Sequence, residues 1–209
     1  MDLTGIDFNV LTHEPKVFVI SGPSGIGKDT VVQLLKKRNH PFHFVVTVAS
    51  RKPRPGEVEG KDYFFVTKEQ FEQMISNDEL AEYSHVYDTY KGVRKQQIQD
   101  ALASGKDVLM RLDVQGAQKI RQQYPNAVLI FLIPTSTEEW HQRLINRQSE
   151  SESDLMVRIE QARTEITYIP LFDYAVVNAH KRIDEAVDNI IAIAKAEHHK
   201  LSKQGFVIE

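Results

Sequence analysis

The residues with the clearest chemical capacity are Gly22-Pro23-Ser24-Gly25-Ile26-Gly27-Lys28, followed by Asp29 and Thr30. Gly-x-x-x-x-Gly-Lys is the spacing of a phosphate-binding loop. Its glycines let backbone N–H groups approach phosphate oxygens, and a helix that follows turns its positive end toward the same anion. Lys28 is expected to reach the terminal phosphates. That reading needs a strand before the loop and a helix after it. Val17, Val19 and Ile20 supply the first, and Val31, Val32, Leu34 and Leu35 recur at helical spacing to supply the second. One position departs from the motif: the hydroxyl residue that normally follows the lysine and meets magnesium is replaced by Asp29, with Thr30 next.

Three other groups of residues can do chemistry. Arg51, Lys52 and Arg54 lie between or beside Pro53 and Pro55 in the polar stretch 50–65, which is either a stiffened anion trap or a solvated loop. Glu82 sits among less polar neighbours, and Asp113 closes the apolar stretch 108–113, at the end of a strand where open α/β sheets bind ligands. Arg143 and Arg147 are one helical turn apart, and Arg158 and Arg163 lie beyond a Ser/Glu-rich tip at 148–153. Such arginines either converge on a phosphate or are solvated.

The elements that must position these groups follow from periodicity. A helix is expected to end near Arg38, before Pro41, and a strand over 42–48. Thr67 and Gln70 form a capping box for the next helix. Further expectations are a strand over 80–87, a turn at 90–93, a helix over 96–103, a buried strand over 127–133, a helix capped by Ser136 and Glu139, and a final strand and helix over 174–178 and 183–201. Strands alternating with helices imply an α/β fold of three layers around a mostly parallel sheet.

At 209 residues, the chain suits one domain with a small insert. A net charge of -3 excludes a generally basic surface, so no nucleic-acid partner is expected. No stretch approaches membrane-spanning length, no membrane partner is expected, and the absence of cysteine excludes thiol chemistry. The first fifteen residues read as neither a secretory signal nor a transit peptide, and a cytoplasmic protein is expected.

Taken together, these residues resemble the guanylate kinases, P-loop kinases of nucleoside monophosphates. The stretch Ser50-Arg51-x-Pro53-Arg54-x-Gly56-Glu57-x-x-Gly60-x-Asp62-Tyr63 is similar to that family's guanosine monophosphate motif, and Asp113-Val-Gln-Gly116 and Val176-Val-Asn178 match as well. The resemblance implies transfer of a phosphoryl group from ATP to GMP, with dGMP a further candidate acceptor and Mg2+ accompanying ATP. It implies that residues 22–30 bind ATP and that Arg51, Arg54 and Tyr63 hold the acceptor phosphate. Glu82 and Asp113 would accept the N1–H and amino protons of guanine, with Thr47 near O6. Lys28, Arg143, Arg147 and Arg158 would act on the transferring group. It also implies a core at about 16–46, 94–142 and 169–205, a GMP-binding insert at about 47–93 and a lid at about 143–168. Two departures stand out. Lys91-Gly92-Val93 replaces Tyr-Gly-Ser/Thr, with Tyr90 a candidate substitute, and Arg111 replaces an acid two residues before Asp113. Both variants resemble plant organellar members. Asp29 is expected to assume part of the lost acid's work in orienting magnesium. Two other readings of the same residues are a non-catalytic phosphopeptide-binding module and a kinase of a phosphorylated ribose.

Overall fold

Alternation within β1 (Val17–Ser21), buried along its whole length, sends Phe18 and Ile20 to one side of a sheet and Val17 and Val19 to the other. A strand with two apolar faces must be covered twice, and that demand produces the layers. The computed structural model describes residues 14–86, 89–145 and 152–201. The remaining elements, in order, are α1 (Lys28–Lys37), β2 (His43–Phe44), β3 (Thr47–Ala49), β4 (Tyr63–Phe65), α2 (Lys68–Ser76), β5 (Leu80–Val86), β6 (Thr89–Arg94) and α3 (Lys95–Ala103). They continue with β7 (Val108–Arg111), α4 (Val114–Gln123), β8 (Val128–Ile133), α5 (Thr137–Ile145), α6 (Glu152–Ile166), β9 (Tyr174–Val177) and α7 (Ile183–His198).

Five strands pair in the order β2-β7-β1-β8-β9, all parallel. Val31 and Leu35 of α1 and Val187 and Ile190 of α7 cover Phe18 and Ile20; Ile98 of α3 and Ala117 and Ile120 of α4 cover Val17 and Val19. The expected α/β architecture is therefore present. Because α4 carries the chain from β7 across β1 to β8, the loop after β1 opens at a switch point of the sheet. A second sheet, in the order β4-β3-β6-β5, mixes one parallel and two antiparallel pairings. Phe71 of α2 packs with Val48 and Leu80 beneath it. Among the described residues no helix is long and apolar enough to cross a membrane.

Two expectations about elements are corrected. The single strand over 42–48 is two strands in different sheets. The N–H groups of His43 and Val45 bond to the carbonyls of Asp107 and Leu109, but Val46 donates to Gln97 Oε1 at 2.6 Å and accepts from Gln97 Nε2 at 3.1 Å. One side-chain amide thus satisfies both backbone groups of Val46 and lets the chain leave the first sheet without an orphaned donor. The turn over 90–93 is instead the middle of β6. Gly92 is there for space, since a Cβ would lie 2.9 Å from both the Glu82 carbonyl oxygen and Phe71 Cζ. The capping box of Thr67 and Gln70 forms as expected, and Ser136 Oγ accepts from the Glu139 N–H at 3.1 Å.

Candidate functional site

The phosphate loop leaves β1 at Gly22 (φ 142°) and enters α1 through Gly27 (φ 92°). A Cβ at Gly22 would lie 2.7 Å from the Leu132 carbonyl oxygen, and one at Gly27 would lie 2.9 Å from Asn178 Nδ2, so both positions require glycine twice over. The loop is held from behind. Ile26 O accepts from Asn178 Nδ2 at 2.7 Å and from Arg143 Nη1 at 3.1 Å, and Ser24 O accepts from Trp140 Nε1 at 2.9 Å. With these carbonyls turned into the protein, the loop presents its N–H side to the ligand, as an anion cradle must. Lys28 Nζ donates to Gly22 O and, at 3.2 Å, to Pro23 O. Glu165, on α6, accepts the Ser24 N–H at 3.2 Å. Burial raises its pKa, and Lys28 and that N–H pull the other way. A carboxylate oxygen therefore occupies a loop amide that a phosphate oxygen would use.

The second anion site lies on the β3–β4 side. Arg51 binds Glu57 through two hydrogen bonds of 2.7 Å, and Glu57 Oε2 also accepts the Arg54 N–H at 2.7 Å. The Arg51 bonds, followed by the Arg54 N–H, pull the Glu57 carboxyl down to about 2. The Arg51 guanidinium lies 5.0 Å from the Tyr63 ring centroid. Glu57 thus keeps Arg51 over Tyr63 in a fork geometry suited to a phosphate.

Beside these anion sites stand two carboxylates. Glu82 is 7% exposed, and its pKa rises to about 7 because burial, then Asp113, disfavours its charge while Lys119 opposes the shift. Its carboxyl carbon would lie 3.1 Å from a Cβ at Gly116, so that glycine makes room for it. Asp113 caps α4, accepting the Gly116 N–H at 2.7 Å. A cleft of about 300 Å³ joins the two halves, lined by Asp29 and Arg111 on one side and Thr47, Glu57, Tyr63 and Val93 on the other.

Several expected site residues are placed differently. Tyr90 stacks on Phe71 with centroids 5.1 Å apart, and its hydroxyl points to Glu72 at 3.5 Å. It therefore faces α2, away from Arg51 and Tyr63, and does not substitute for the missing tyrosine. Alternation along β6 explains the error: Lys91 takes the opposite face. Arg143, expected at the transferring group, is engaged by Ile26 O, Asn178 O and Glu139 and so supports the loop. Asp29, expected to help orient magnesium, pairs with Arg111. Arg147 lies outside the described residues, as does the side chain of Arg158. Sequence reasoning passed over Trp140 and Glu165, and it named Arg111 as a departure without pairing it with Asp29. The useful signal for Arg111 is an unmatched cation at the end of a buried strand beside Asp113.

Comparison with known proteins covers most of the chain. The family model described as Guanylate kinase matches residues 14–197. The guanylate kinase 2 of rice (Oryza sativa subsp. japonica), named chloroplastic/mitochondrial, is 47% identical over 192 residues, covering 91% of this chain and 67% of its own. The guanylate kinase of Lactobacillus acidophilus is 46% identical over 183 residues, covering 87% of this chain and 89% of its own. Among solved structures, the guanylate kinase of Anaplasma phagocytophilum superposes with a TM-score of 0.72 at 33% identity, covering 91% of this chain and 89% of that one. With the loop after β1, the Arg51 fork on the second sheet, Glu82 of β5 acting on Asp113 at the start of α4, and matches of this extent, the chain belongs to the guanylate kinase family.

Proposed function

We infer that the chain transfers the terminal phosphoryl group of ATP to GMP, giving ADP and GDP. The observation that carries this reading is the shared cleft: Asp29, next to Lys28, and Tyr63, beneath the Arg51 fork, line one space. A donor held by the loop and an acceptor held by the fork would meet there. An acceptor phosphate oxygen then bonds to the γ-phosphorus as the bond to the β-bridging oxygen breaks, and ADP leaves with that electron pair. A loose transfer of this kind asks the protein for alignment and positive charge. Loop amides and Lys28 hold the donor, Arg51, Arg54 and Tyr63 hold the acceptor, and Arg147 and Arg158 are proposed to close over the transferred group. Glu82 and Asp113 read guanine's donor edge, with Thr47 near O6. In the same reading the second sheet, within about 47–93, is the acceptor insert and 143–168 the lid.

Magnesium belongs to this reading as a companion of ATP. Mg2+ is usually held by substrate phosphates, waters and one or two carboxylates. Among the described residues no three or more of His, Cys, Asp and Glu converge on a metal position. Asp29 and Thr30 are the residues that would meet its waters, while Arg111 fixes the Asp29 carboxylate. When bound, the metal would neutralise phosphate charge. Asp29→Ser should raise the magnesium concentration needed for half-maximal activity several-fold. An unchanged titration removes Asp29 from that role.

The function itself is tested by measuring ADP release with GMP, dGMP, AMP, UMP and ribose phosphates as acceptors. Turnover confined to guanine nucleotides supports the reading. Turnover with a ribose phosphate, or none with any acceptor, overturns it.

A further inference from the structure

The second sheet decides which side chain of β6 reaches the acceptor-phosphate site. Ala49 of β3 pairs with Lys91 across one ladder and with Phe65 of β4 across the other, and Thr47 pairs with Tyr63. Directly paired residues point to the same side of a sheet. Lys91 therefore shares a face with Tyr63 and Phe65, the two rings over which the Arg51 guanidinium lies at 5.0 and 5.4 Å. The Lys91 ammonium is itself 5.9 Å from the Tyr63 centroid. Two hydrogen bonds fix this register next to the basic loop: Ser50 N–H donates to Tyr90 O at 2.9 Å, and Tyr90 N–H donates to Ser50 Oγ at 2.7 Å.

We propose that Lys91 is the third cation of the acceptor-phosphate site, joining Arg51 and Arg54 on the dianionic phosphate monoester of the bound nucleotide. This rests on reading the Arg51 and Tyr63 face as the place where that phosphate sits. The charged groups that act on Lys91 are Arg51, Arg54 and Glu57, the last alone being negative and already bound twice by Arg51. Its other faces meet the Tyr63 ring and its cross-strand neighbours Ala49 and Ser84, which carry no charge. Partial burial, then Arg51 and Arg54, lowers the pKa of Lys91. Three cations around one carboxylate form a site with an excess of positive charge, and a phosphate dianion is the ligand chemistry that balances it. A lysine fits as a mobile point charge beside the fixed guanidinium fork.

The test is direct binding of GMP and of guanosine, measured by calorimetry, to the full chain and to Lys91→Met and Lys91→Arg. For Lys91→Met the expected result is a GMP dissociation constant raised about tenfold or more, the scale of one charge-assisted contact. Guanosine affinity should stay unchanged, since guanosine carries no phosphate. Lys91→Arg should retain most of the GMP affinity. Binding by Lys91→Met should also show a shallower dependence on salt. As pH rises, GMP affinity should fall earlier in the parent chain than in Lys91→Arg, whose cation does not titrate. Equal GMP affinity in the parent and Lys91→Met overturns the proposal while leaving the acceptor site standing. Parallel loss of GMP and guanosine overturns it in favour of a structural role. Failure of the parent chain to bind GMP at all overturns both the proposal and the site it rests on.

Discussion

Lys28→Met should lower kcat by at least about a hundredfold, the usual scale for removing one preorganised donor aimed at developing negative charge. The lysine opens α1 directly after Gly27, so its ammonium shares its anchoring point with the positive end of the helix. The ammonium donates to Gly22 O and Pro23 O, at the rim of the loop, and acts electrostatically on Glu165. Triphosphate oxygens attract the ammonium as full charges, where Gly22 O and Pro23 O are neutral acceptors, so a bound triphosphate draws it from these carbonyls. The loop does not rely on Lys28 for its shape: Asn178, Arg143 and Trp140 hold the carbonyls of Ile26 and Ser24 from behind. Melting temperature and GMP binding should therefore stay near those of the parent chain while turnover collapses. Lys28→Arg should rescue little, because a planar fork cannot replace a compact ammonium at the same place. Turnover within a few-fold of the parent value would show that the lysine's contacts are only structural.

The contrast between this loop and Tyr90 shows what the chain reveals before it folds. Gly22 to Lys28 is legible because strand, turn, lysine and helix follow one another within a short stretch, and local geometry decides each. The capping box at Thr67 and Gln70 and the buried strand β8 are legible for the same reason. Tyr90-Lys91-Gly92 reads as a turn because glycine usually marks one, yet Gly92 answers to Phe71 and the Glu82 backbone, residues that arrive only with the second sheet. Once that segment is a strand, alternation sends Tyr90 to Phe71 and Lys91 toward Tyr63. The break at Val46 depends on Gln97, and the support of the loop depends on Trp140 and Asn178. Asp29 and Arg111 were each legible as oddities. Their pairing follows from β7 lying beside β1, a topological fact that spacing does not contain.

Glu82→Gln should have the largest effect on selectivity. A buried carboxylate that accepts N1–H and amino protons is matched to guanine, whereas adenine presents an acceptor at N1. A site built this way discriminates by leaving a buried group unpaired when the wrong base enters. Glutamine offers one acceptor and one donor, so it loses a charge-assisted bond to guanine and gains a donor that adenine N1 can accept. GMP affinity should fall about 10- to 100-fold, and the preference for GMP over AMP should fall by more. The pH dependence carries its own signature. Burial and Asp113 raise the Glu82 pKa from 4.5 to about 7, so the carboxylate needed by guanine forms only as pH rises through about 7. GMP affinity of the parent chain should therefore weaken on acidification below that point, and the variant should lose this inflection. Stability moves in the opposite sense. A carboxyl with a raised folded pKa contributes fully below about 4.5, and that contribution is lost as pH rises through about 7. With nucleotide absent, the ionised Glu82 costs on the order of 3 kcal/mol at pH 8, a cost the glutamine variant does not carry. Glu82→Gln should thus melt higher than the parent chain at pH 8 while binding GMP more weakly. A variant that melts lower and keeps both its GMP preference and its inflection near pH 7 would assign the reading of guanine to other residues.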